Sequence, residues 1–204
     1  MSTSAMTQRR SVAILAVMLA SACLVGADFG RPDPETLVLG KTTEKEIRDR
    51  FGEPSSQSTA QVKDKVVTVV RYTQIEPRPA VVLGRTLVYS FYQDKLVGFD
   101  YSSSFENDKT DFDETLPGRI KRGETTLRQV LALLGRPTGQ FIYPSPYVWA
   151  QDQRAFVYSY SRNDRPPPGG TLQTINKFLA ITFDSHDVVA ETSLTTTVTS
   201  RPSR

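Results

Sequence analysis

One stretch of this chain occurs twice. Gly40-Lys41-Thr42-Thr43-Glu44-Lys45-Glu46-Ile47, running on through Phe51-Gly52-Glu53-Pro54, overlays Gly123-Glu124-Thr125-Thr126-Leu127-Arg128-Gln129-Val130, running on through Leu134-Gly135-Arg136-Pro137, at a constant spacing of 83 positions without a gap. Pro34 and Pro117 keep the same spacing, as do Leu37 and Ile120. A duplication constrains the architecture more than composition does, because what one copy folds into the other must also be able to form.

Each copy carries signals that start and stop a helix. Thr43 with Glu46, and Thr126 with Gln129, have the spacing of a capping box, in which the hydroxyl and the longer side chain each satisfy an early backbone N–H. Ile47 and Phe51 share a helix face, as do Val130 and Leu134, and Leu127, Leu131 and Leu133 make the second helix the more apolar. Gly52 and Gly135 suit the left-handed position past the last turn, and Pro54 and Pro137 forbid continuation.

Strand-like runs follow each helix. Residues 66–73, 86–92 and 96–101 in the first copy, and 155–161, 177–183 and 188–195 in the second, are rich in the β-branched and aromatic residues of half-buried strands. Leu87, Tyr89 and Phe91 alternate onto one face, as do Phe156, Tyr158 and Tyr160. Short turns at Gln93-Asp94-Lys95 and at Asp184 to Asp187 imply antiparallel hairpins.

Gly-x-Thr-Thr, a short amphipathic helix, Gly-x-Pro, and then a hairpin ending in Phe, a turn and Val resembles the SmpA/OmlA (BamE-like) module of bacterial outer-membrane lipoproteins. A tandem pair resembles the β-lactamase inhibitory protein fold, in which both halves contribute to one concave surface. The resemblance implies an α+β fold in tandem copies, residues 35–103 and 115–198, each with short helices packed on an antiparallel sheet. BamE carries one such module and this chain two, so the family's partner-binding positions do not carry over to numbered residues here.

The N-terminus reads as an address. A polar start ending in Arg9-Arg10, an apolar run from Val12 to Leu19 and the small residues Ala20-Ser21-Ala22 have the layout of a signal peptide. Residues 12–25 are fewer than the ~20 that span a bilayer as a helix. Leu19-Ala20-Ser21-Ala22-Cys23 resembles a lipobox, which implies cleavage between Ala22 and Cys23 and lipid attachment at Cys23. The alternative is an ordinary secretory cleavage site with Cys23 left as a thiol. Under the lipoprotein reading residues 1–22 are removed, residues 23–34 form a tether, and Leu24 after the cysteine implies the periplasmic face of the outer membrane.

Composition narrows the chemistry. One Cys and one His leave no Cys/His set for zinc. Without Arg9 and Arg10 the chain has 23 basic and 22 acidic residues, against the large positive surface that nucleic-acid binding uses. His186 lies in the turn Asp184-Ser185-His186-Asp187, and catalytic triads draw their members from separate elements. Asp100, Asp152 and Glu191 have no spacing that singles out an acid and a base. Gly169-Gly170 follows three prolines and opens no helix, so no phosphate loop is expected. No catalytic residue, metal, cofactor or small-molecule substrate is expected.

Recognition has better candidates. Residues 75–80 and 163–170 are proline-stiffened and occupy matching places, so Arg78 and Arg165 could clamp a partner or simply sit in tolerated insertions. Residues 141–149 hold four aromatics, among them Tyr143, Tyr147 and the chain's single Trp, Trp149. Such aromatics either anchor a partner or fill the seam between the copies. The expected function is a lipid-anchored, non-catalytic envelope protein that binds or scaffolds another envelope protein, with an inhibitor of a periplasmic or secreted enzyme as the alternative.

Overall fold

The computed structural model describes residues 29–78, 81–108, 110–164 and 171–202. Two helices form where the caps and stops place them, α1 (Glu44–Phe51) and α2 (Leu127–Leu134). In both the threonine hydroxyl accepts from the backbone N–H three residues on while that residue's side chain accepts from the threonine N–H. Gly52 and Gly135 end them at φ 75° and 73°, with extended ψ rather than the left-handed helical value, a combination open to glycine almost alone.

The rest of the ordered secondary structure is mainly strand: β1 (Ser56–Val62), β2 (Lys65–Pro77), β3 (Val81–Tyr92), β4 (Lys95–Ser103), β5 (Gly139–Ile142), β6 (Arg154–Asp164), β7 (Thr171–Phe183) and β8 (Val189–Pro202). They form one sheet in chain order, with every neighbouring pair antiparallel. β3 also pairs with β6, Val81 opposite Asp164 and Val82 opposite Asn163, so β3, β4, β5 and β6 close a four-stranded ring.

This corrects the expected fold class. The protein is a mainly-β sheet with one two-turn helix on each half, not an α+β tandem of helix layers on separate sheets. The strands outgrow the runs visible in sequence. Ile75–Pro77, expected in a recognition loop, completes β2, and Asn163 and Asp164 complete β6. β1 gives no signal in the sequence because Ser56 to Gln61 are all exposed and polar or small, without apolar alternation. β5 is only four residues long and lies inside the aromatic run.

Alternation divides the sheet into two faces. On one, Ile47 and Phe51 of α1 pack against Val70, Tyr72, Leu87, Tyr89 and Phe91, and Val130 of α2 packs against Phe156, Tyr158, Leu179 and Ile181. Tyr72 and Tyr158 then donate their hydroxyls to the carbonyls of Gly52 and Gly135, at 2.9 and 3.0 Å, tying each helix end to its strand. The other face carries no helix, and a row of cross-strand neighbours runs along it from Arg71 through Val88, Asp100, Gly139, Val157 and Ala180 to Ser193.

β4 and β5 form the seam between the halves, and two glycines permit it. A Cβ on Gly139 would lie 2.3 Å from the Phe99 carbonyl oxygen and 2.9 Å from the Asp100 Cα. A Cβ on Gly98 would fall 2.0 Å from the Phe141 ring, which lies against that glycine. Gly139→Ala forces apart two backbones that have no side chain to move aside, so urea unfolding should show a loss of about 1–3 kcal/mol, as overpacking does. Gly118→Ala, with nothing within 4 Å of the new carbon, should change stability by less than ~0.5 kcal/mol.

Candidate functional site

The helix-free face meets the seam at Asp100. Its two carboxylate oxygens accept from the Thr138 hydroxyl at 3.0 Å and the Ser159 hydroxyl at 2.7 Å. Thr138 also accepts from the Ser159 N–H at 2.8 Å, donates its own N–H to Val157, and accepts at its carbonyl from the Tyr101 N–H. Burial between the strands pushes the Asp100 carboxyl above the usual range, although both hydroxyls, the Tyr101 backbone and Arg31 favour its charged form.

Asp100 also lines an open cleft of about 290 Å³ with Arg71, Thr86, Val88, Ser102, Asn176 and Phe178. The lining is mixed, with Asp100, Arg71 and Lys177 among hydroxyls, the Asn176 amide and the apolar Val88 and Phe178.

The residues from Tyr143 to Trp149 occupy the next part of the same face. Tyr147 sits 5.0 Å from the Phe141 ring and 5.4 Å from Phe178, and its carbonyl accepts from the Thr182 hydroxyl at 2.9 Å. Burial pushes the Tyr147 phenol up. Phe141 and Val148 are buried and Tyr143 is partly so, which makes this half of the aromatic run part of the seam. Trp149 differs, with 52% of its surface exposed. Lys63, in the β1–β2 turn, stands 5.5 Å from its ring centroid and donates to its carbonyl at 2.9 Å, so a lysine from the first half of the chain contacts the indole of the second.

Arg78 is elsewhere. It lies just past β2, whereas Lys63 lies just before it, and thirteen extended residues separate the strand ends by roughly 40 Å. Arg78 pairs with Glu76 at 2.8 Å and lines a different cleft, of about 390 Å³, with Phe105, Tyr160 and Arg162. The expected sites therefore group as Tyr143, Tyr147 and Trp149 together and Arg78 apart. Arg165, Ala22 and Cys23 lie outside the described residues.

His186 is exposed in the β7–β8 turn, where its N–H donates to Asp184. Asp184 accepts also from Val188, and these two bonds shape the turn and lower the Asp184 carboxyl, the Val188 bond most. No group of three metal-ligating side chains occurs among the described residues.

A second carboxylate ties the helix side. Asp108 accepts from Tyr101 at 2.7 Å, from Ser103 at 2.5 Å and from Arg85 at 2.8 Å. Burial works to raise its carboxyl, but those donors outweigh it and the result is lowered. Nearby, Arg31 donates to the Arg136 and Pro137 carbonyls, both at 2.8 Å, and Arg136 donates back to Pro32.

Sequence reasoning missed Lys63, Thr138, Ser159 and Arg71. No spacing marks them, because strand pairing alone brings them to Trp149 or Asp100.

No family model matches the sequence, and no curated protein matches it. Neither comparison supports the SmpA/OmlA resemblance. Among solved structures the chain is similar to a protein of Streptococcus mutans, provisionally named a beta-lactamase inhibitor protein, with 12% identity and a TM-score of 0.40 over 79% of this chain and 91% of that one.

The two carboxylates give opposite pH signatures. Asp100 is raised in the fold, so its contribution is greatest below the usual carboxylate range and declines as pH climbs through its raised value. Asp108 is lowered, so its contribution is present above that range and is lost as pH falls through its lowered value. Asp100→Asn should therefore remove a decline in stability on the alkaline side of the usual carboxylate range, seen as a flatter curve of unfolding midpoint against pH. An unchanged curve would contradict this assignment.

Proposed function

We propose that this chain is a non-catalytic binding protein that engages another envelope protein through its helix-free face, with Trp149 as the anchor. The observation that carries the reading is the half-exposed Trp149, whose ring and carbonyl Lys63 contacts, at the end of the aromatic loop that holds Tyr147. An aromatic side chain has few rotatable bonds to immobilise on docking, and Trp is among the side chains enriched in the residues that dominate interface energy. The polar cleft at Arg71 and Asp100 would supply the orienting contacts around it.

The same proposal has Cys23 carrying lipid, which would hold the protein at the periplasmic face of the outer membrane. Several acyl chains on one cysteine bury enough methylenes, at ~0.8 kcal/mol each, for durable attachment. The inhibitor alternative would use the same face, and slowing of a periplasmic hydrolase by the purified protein would select it.

Two experiments test the reading. Cys23→Ala should leave the fold intact and move the protein out of the membrane fraction, and an unchanged distribution would refute the anchor. A photoreactive residue at Gln151, exposed in the turn just beyond Trp149, should capture one envelope protein in intact cells, and Trp149→Ala should cut the yield about tenfold or more, as loss of a dominant anchor does. Equal capture with and without the indole would remove Trp149 from the proposal.

A further inference from the structure

Among the described residues the outer backbone edge of strand β8 is unpaired where its counterpart is covered, while the Thr196 hydroxyl donates to Glu114. In the first half, Leu96 exchanges backbone hydrogen bonds with Gly40 and Thr42, and just beyond it β4 is paired along its outer edge by β5 at residues 98–100. In the second half, Val189 makes the same two bonds with Gly123 and Thr125. Beyond it, among the described residues, no strand pairs with the outer edge of β8. Residues 191–201 are all exposed, including Leu194 at 42% and Val198 at 59%.

An open edge of this length is a template for another strand, and natural proteins usually blunt one with charge, proline or a bulge. Between Glu191 and Arg201 β8 has none of these. Its sequence there is Thr192-Ser193-Leu194-Thr195-Thr196-Thr197-Val198-Thr199-Ser200, β-branched at most positions and without charge.

The charges at its two ends identify the occupant. When β8 is laid antiparallel against itself about Thr196, Glu191 of one copy stands opposite Arg201 of the other, Leu194 opposite Val198, Thr192 opposite Ser200, Ser193 opposite Thr199 and Thr195 opposite Thr197. Every pair is complementary, and the two-fold makes each occur twice. Directly opposed residues share a sheet face, so the ion pairs form on the helix-free face and the Leu–Val pairs on the helix side. We propose that two copies of this chain join through β8, antiparallel and centred on Thr196, into one continuous sheet of sixteen strands. Such an interface is isologous and closes on itself, leaving no further β8 edge. It is independent of the partner proposed above, and it sets two helix-free faces side by side.

The test uses the full chain carrying Cys23→Ala, so that neither lipid nor the native thiol contributes. Light scattering and sedimentation should show a concentration-dependent dimer. Added Thr196→Cys should crosslink to itself on oxidation, because residues at the two-fold stand about 4.5–5.5 Å apart at Cα, within disulfide range. Ser193→Cys should not, since its copies would lie roughly 20 Å apart. Glu191→Arg or Arg201→Glu alone should weaken the dimer on the order of tenfold by opposing like charges, and the two together should restore it. A monomer at all concentrations, open polymers, equal crosslinking at both positions, or an affinity indifferent to the charge changes would each overturn the proposal.

Discussion

The sheet is continuous because two backbones approach at Gly139 and a carboxylate closes the gap beside them. Just before β5 begins, Thr138 already continues its pairing, accepting from Tyr101 of β4 and donating to Val157 of β6. Its hydroxyl and that of Ser159 then satisfy both oxygens of Asp100. The two halves thereby share a hydrogen-bonded centre instead of merely touching. Removing either hydroxyl takes a hydrogen bond from this centre, and an intramolecular hydrogen bond contributes about 0.5–1.5 kcal/mol.

The ring through β3 and β6 follows from that centre. Once β4, β5 and β6 are held side by side, the longer arms β3 and β6 extend past the end of β4 and meet at Val81–Val82 and Asn163–Asp164. On the helix side Arg31 donates to the Arg136 and Pro137 carbonyls and Arg136 donates to the Pro32 carbonyl, so both faces of the seam are tied. The aromatic loop lies across the helix-free face, and Lys63 steadies its exposed end. A proposed docking anchor thus rests on contacts from both halves.

Local signals are legible in the sequence and distant ones are not. The caps at Thr43 and Thr126 and the stops at Gly52 and Gly135 act within one or two helical turns, so their residue types fix them. The helices they delimit are short, however, and giving them the weight of a layer equal to the sheet leads to the wrong class. β1 is polar on both faces and has no periodicity to betray it. Asp100 is visible as an acid, but nothing near it in sequence names Thr138 and Ser159 as its partners, 38 and 59 positions away. The run from Phe141 to Trp149 is visible as aromatic, while its division into buried seam and exposed indole depends on the register of β5 against β4 and on a lysine from the first half.

The central claim is that the halves form one structure through Asp100, Thr138 and Gly139. Amide hydrogen exchange measures this most directly at the N–H groups of Tyr101, Thr138 and Ser159. They should exchange as slowly as the core amides of Leu87 and Leu179, with a single opening free energy shared by both halves. Fast exchange at those three amides, or two separate opening energies for residues before and after Ser104, would mean that the sheet is two sheets in contact.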